Sequence, residues 1–164
     1  MNMTHYMSLL ANNQPWNLIF FMAIPVIAAE TLTITEFFII FNKIHKGPIK
    51  TLNKIVGIFA GFYFTGIFIY LLTTAVIPIT QNSQWHTWVD VAAVGSYLSG
   101  VIFLLSIALM ELNIVFRHKT IEQKMKIHFI LISGFLVVAH IAMIFGMVNP
   151  EIINNMDTMP NMSK

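Results

Sequence analysis

Cysteine is absent from the 164 residues, and only 10% of them are charged, against about 25% in soluble domains. Without thiols there is no disulfide, no thiolate metal centre, no iron–sulfur cluster and no cysteine nucleophile, which leaves histidine, methionine and carboxylates as candidate ligands. So little charge, with 57% hydrophobic residues and a mean hydropathy of +0.74, excludes a cytosolic enzyme, a nucleic-acid module and a disordered chain. Lys and Arg are also missing before Trp16, so the first apolar stretch lacks the basic start of a cleavable signal peptide and is expected to be retained. No phosphate-cradling glycine loop, serine-nucleophile motif or His-Glu-x-x-His is present, which disfavours an enzyme and a hydrolase above all.

What the chain does have is four apolar runs: about Trp16 to Phe41, Ile55 to Ile79, Val91 to Phe116 and Ile127 to Val148. Each can cross a hydrocarbon layer of about 30 Å at about 1.5 Å per residue. The short alternating segments of a β-barrel are not seen. The expectation is an all-α integral membrane protein, a four-transmembrane-helix bundle over 16–149, flanked by a Met- and His-bearing segment 1–15 and a Met-rich tail 150–164. No soluble domain of ~50 residues fits in what is left. Lys43, Lys46, Lys50, Lys54, Arg117, Lys119, Lys124 and Lys126 fall in or beside the two loops at one end. By the positive-inside rule this predicts an N-out/C-out protein of the bacterial inner (plasma) membrane, with both termini periplasmic and the lipid bilayer as its first partner. Trp16, Trp85 and Trp88 mark the opposite boundary. Gly57 and Gly61 form a small-xxx-small pair that serves either packing within the bundle or a homodimer face. Pro25 should kink the first span and free the carbonyl of Phe21.

Glu30 lies fourteen residues from Trp16 and eleven from Phe41, near the centre of the bilayer. A carboxylate there costs roughly 2.5–3.5 kcal/mol on insertion scales, so it must be protonated, paired or bound to a cation. The polar stretch Glu30 to Glu36, with Thr31, Thr33 and Thr35, is therefore expected to face the bundle interior. Glu30 and Glu36 are rotated by about 120° from each other and do not form a dyad. His140 on the fourth span is the expected partner of Glu30. Glu36, Glu111 and His128 share a similar depth nearer the lysines; they either form one polar cluster or turn separately toward the loop lysines and the interface.

Methionine is distributed unevenly. Met1 to Met7 reads Met-Asn-Met-Thr-His-Tyr-Met, and Met156 to Met162 reads Met-Asp-Thr-Met-Pro-Asn-Met. The tail resembles the Met-rich segments of periplasmic copper-handling proteins, and thioethers with imidazole suit Cu(I). Met3, His5, Met7, Met156, Met159 and Met162 are the candidate capture ligands, and Met147, Met143, His140 and Glu30 the candidate path inward, His140, Met143 and Met147 sharing a helix face. The primary expectation is copper binding or transfer, with periplasmic metal carriers as partners. A b-type haem and quinol protein is the alternative, with His128 and His140 as the ligands inside spans, His45, His86 or His118 dipping in from loops, or His140 paired with Met22. A third reading is an accessory subunit of a respiratory complex. No Glu-x-x-His pair supports a di-iron site.

Overall fold

The structure is a computed structural model that describes residues 4–44, 46–83, 85 and 87–148. A short helix α1 (His5–Ala11) precedes four long ones: α2 (Trp16–Phe41), α3 (Pro48–Gln81), α4 (Trp88–Glu111) and α5 (Ile121–Met147). All four are long and apolar enough to span a membrane, and no strand occurs among the described residues. The chain is an all-α membrane-spanning four-helix bundle. Successive helices run antiparallel, and α2 closes the ring against both α3 and α5. All the named lysines thus sit at one end of the bundle and Trp16, Trp85 and Trp88 at the other.

Both ends of the second, third and fourth spans differ from those expected, most of all at Ile55, Phe116 and Ile127. At the starts of α3 and α5 the apolar criterion trims polar turns that are helical, because a helix does not stop where hydrocarbon does, and at the end of α4 it overruns into apolar residues that are not helical. Helix α3 begins at Pro48, preceded by Gly47 at a φ of 130° in the left-handed region where glycine is favoured, so Lys50 and Lys54 are helical. Helix α4 ends at Glu111, with Asn113 in the left-handed conformation at φ 57°. Helix α5 starts at Ile121 behind a capping box: the Thr120 hydroxyl accepts from the Gln123 amide and the Gln123 side chain accepts from the Thr120 amide. Rigid helix, not loop, therefore carries Lys50, Lys54, Lys124 and Lys126.

The tryptophan end is built around two kinks. Pro25 and Pro78 each follow a π-helical turn, Ile19–Ala23 and Leu72–Val76. A proline cannot donate to the carbonyl four residues back. Phe21, which loses its bond to Pro25, is compensated from α4, where the Tyr97 hydroxyl donates to its carbonyl. Tyr63 on α3 donates to the neighbouring Phe20 carbonyl at 3.0 Å. Lipid offers no donor, so these two phenols are what allow the kink at membrane depth.

The expected dual use of Gly57 and Gly61 resolves in favour of the bundle. A Cβ on Gly61 would lie 2.4 Å from the Ala108 Cβ and 2.5 Å from the Leu104 carbonyl oxygen, and one on Gly57 would meet Ile107 at 3.1 Å. The face proposed for a homodimer is occupied by α4 of the same chain. The segment before Trp16 is likewise not a free strand. Helix α1 docks on α4 and α5 with Leu10 buried, and the Thr4 hydroxyl donates to the Gly146 carbonyl at 2.8 Å.

Candidate functional site

Glu36, on α2, is fully buried, and so is His128, on α5. The Nδ1 of His128 lies 3.0 Å from Oε2 of Glu36, and its Nε2 lies 4.0 Å from Oε1 of Glu111 on α4. The imidazole thus stands between two carboxylates that approach opposite ring nitrogens. Both Glu36 oxygens and both His128 nitrogens lack a hydrogen-bond partner among the described residues. The 3.0 Å contact has the length of a hydrogen bond without its alignment, and it becomes an ion pair when the imidazole is protonated. Four unsatisfied polar atoms in one buried cluster are costly at this depth unless protons or waters complete them.

The surroundings are polar where α2 and α3 meet. Thr35 returns its hydroxyl to the Thr31 carbonyl at 2.7 Å and accepts from the buried Asn53 amide at 2.9 Å. On the lysine side the cluster opens into a cavity of about 250 Å³ lined by Lys50, Lys54, Glu111, Asn113, Lys124 and His128. Glu111 is the more accessible carboxylate, its side chain 13% exposed against 1% for Glu36. The order from the cavity inward is Glu111, His128, Glu36.

The remaining candidates are dispersed. Glu30 is exposed on the outside of the bundle and has no hydrogen bond or ion pair among the described residues. The polar stretch was expected to face inward as a whole; Thr35 and Glu36 do so, and Glu30 does not. His140 is exposed as well, its Nδ1 bonded to the Leu136 carbonyl one turn back at 2.6 Å. The expected Glu30–His140 pair is not formed. Glu30 precedes Glu36 by six residues and His140 follows His128 by twelve, so from the level where Glu36 meets His128 they rise about 9 Å and about 18 Å. That leaves them about 9 Å apart in depth. Haem held by His128 and His140 does not fit either, since one imidazole is enclosed by carboxylates and the other points out of the bundle. His118 is exposed in the loop before α5, while His45 and His86 lie outside the described residues.

The methionine path is similarly uneven. Met143 and Met22 line a void of about 30 Å³ beside Phe64, Tyr97 and Phe135, the setting of packing residues. Met147 is 63% exposed. Met7 packs against the core. The His5 ring meets the carboxylate of the fully buried Asp90, whose other oxygen accepts from the His5 amide at 2.7 Å. His5 thus pins α1 to α4. Met3, Met156, Met159 and Met162 lie outside the described residues. Among the described residues no cluster of three or more His, Asp or Glu has metal-binding geometry.

Three participants escaped the sequence reading. Asn53 sat among basic residues taken for a loop; Asp90 stood beside a boundary tryptophan; Tyr97 resembled any other apolar-span aromatic. Pro25 was the one available signal for Tyr97, because a freed carbonyl demands a donor. No curated protein and no solved structure matches the chain. A family match spans residues 1–162, and the chain accordingly belongs to the family of unknown function DUF6803.

Proposed function

We propose that the protein handles protons in the membrane, with His128 passing a proton between Glu111 at the floor of the lysine-end cavity and Glu36 inside the bundle. The observation that carries this reading is the imidazole placed between two carboxylates on opposite ring nitrogens. Imidazole can take a proton on one nitrogen and release another from the second, and intramembrane ionisable chains of this composition are proton relays by chemistry. Charge balance supports the same choice. Two carboxylates and one imidazolium carry a net negative charge, which a low-dielectric interior opposes; one more proton neutralises it. A single metal ion is a poorer fit, because the carboxylates sit on opposite sides of the ring. By the positive-inside rule the cavity faces the cytoplasm. Cu(I) capture by the tail rests on the spacing of Met156, Met159 and Met162 alone, and elemental analysis of the purified protein tests it directly.

The relay is tested by following the nitrogen resonances of His128 through a pH titration of the detergent-solubilised protein, with His128→Gln identifying the signal. The expected result is a His128 profile that changes in Glu36→Gln and in Glu111→Gln, because the three groups share protons. A His128 titration identical in wild type and both variants overturns the reading.

A further inference from the structure

Topology accounts for how many basic residues sit at the lysine end, but not for their convergence. Lys50 and Lys54, one turn apart on α3, and Lys124, from α5, line the same cavity of about 250 Å³. Lys124 is held at the wall by donating to the Asn113 side-chain oxygen at 2.7 Å. Lys50 and Lys54 have no hydrogen bond or ion pair among the described residues. Lysines that line one half-open cavity repel each other, which an anion relieves. The second feature is the floor: His128 is 2% exposed, lines this cavity and leaves Nε2 without a hydrogen-bond partner among the described residues.

We infer that this cavity binds a phosphate group, held by Lys50, Lys54 and Lys124 and linked to proton uptake by Glu111 and His128. The inference rests on the relay reading for its proton linkage. Phosphate offers enough oxygens for three ammonium groups and one further donor, and lysine is a common phosphate ligand. A volume of about 250 Å³ accommodates a single phosphate group, and the remainder of a larger ligand would extend out of the cavity. The groups facing the bound anion are Lys50 and Lys54 from α3, Glu111 from α4, Asn113 from the following turn, and Lys124 and His128 from α5, with Glu36 of α2 behind the imidazole. An ionised Glu111 repels the anion, whereas a protonated Glu111 or an imidazolium donates to it. Anion and proton therefore strengthen each other's binding by the same factor. The phosphate group has two sources, free inorganic phosphate or an anionic lipid headgroup.

The test uses the full chain in phosphatidylcholine vesicles titrated with inorganic phosphate, and in a second arm phosphatidylglycerol vesicles with retained lipid counted by native mass spectrometry. Sulfate, whose charge is constant near neutral pH, serves as the probe of pH dependence. Saturable binding is expected in one arm, weakened about tenfold in Lys54→Gln. Sulfate affinity is expected to rise about fivefold or more from mildly alkaline to mildly acidic pH, within the usual range of coupling, and to lose that dependence in Glu111→Gln. Absence of binding in both arms, or binding indifferent to Lys54→Gln, overturns the inference. If His128 still titrates together with its carboxylates in that case, the relay stands without the anion. Binding that is lysine-dependent but insensitive to pH overturns the proton linkage, while the relay stands or falls on the His128 comparison above.

Discussion

Glu36 and Glu30 stand six residues apart on one helix and meet opposite fates. Glu36 is enclosed at the lysine end, with an imidazole 3.0 Å away and a second carboxylate beyond it. Glu30 faces outward nearer mid-membrane with no partner among the described residues. The tryptophan half of the bundle spends its internal polar groups on structure, with Tyr97 and Tyr63 serving carbonyls at the Pro25 kink and the buried Asp90 fastening α1 through His5. The lysine half gathers its ionisable side chains instead. A membrane bundle can thus keep structural polarity and chemical polarity at different depths, and buried ionisable side chains whose atoms lack hydrogen-bond partners among the described residues mark the chemical one.

That contrast can be broken most severely at His128. His128→Ala leaves Glu36 as an uncompensated buried charge and should destabilise the protein by about 3–5 kcal/mol in mixed-micelle unfolding. Replacing Glu36 and His128 together by Leu should recover most of that loss, since an apolar pair has no charge to compensate. If the single and double variants are equally unstable, the two residues do not act as a pair.

Glu30→Leu should do the opposite of His128→Ala. It removes a lipid-facing carboxyl, and stability should rise by up to about 2.5–3.5 kcal/mol, less to the extent that the group is protonated. A clear loss of stability would show that Glu30 is covered by a partner in the membrane.

Tyr97→Phe leaves the Phe21 carbonyl without its donor and should cost about 1–3 kcal/mol by the same unfolding measurement, with Tyr63→Phe costing less because Tyr63 is only partly buried. Neither should move the His128 titration, which separates repair from chemistry. Thr120→Ala sharpens the lysine half more gently: losing the cap of α5 should cost about 1 kcal/mol. If Lys124 and His128 depend on that first turn, phosphate affinity should fall in the same variant.

Spans were legible from length and apolar content, and so was the shared depth of Glu36, Glu111 and His128. Helix ends were not, because Pro48 to Lys54 and Ile121 to Lys126 are polar turns that remain helical in water. The facing of each residue was also hidden. In a soluble helix the buried face is the apolar one, but here lipid and core are equally apolar, and α4 and α5 carry apolar side chains all round. The stripe of Met143 and Met147 was legible as a shared face and still undecided as ligand or packing.

The sequence by itself determined that four helices cross the membrane, that charge gathers at one end, and that Glu30 and Glu36 point about 120° apart. Only the tertiary structure decided which of the two turns inward. That choice comes from close packing: Gly57 and Gly61 admit α4 against α3, Gly100 and Gly134 admit α4 against α5, and in the resulting bundle Glu111 lies alongside His128 with Glu36 of α2 at the other ring nitrogen. Six residues of helix fix a rotation between two side chains, but the direction of the bundle axis belongs to neighbours far away in the chain.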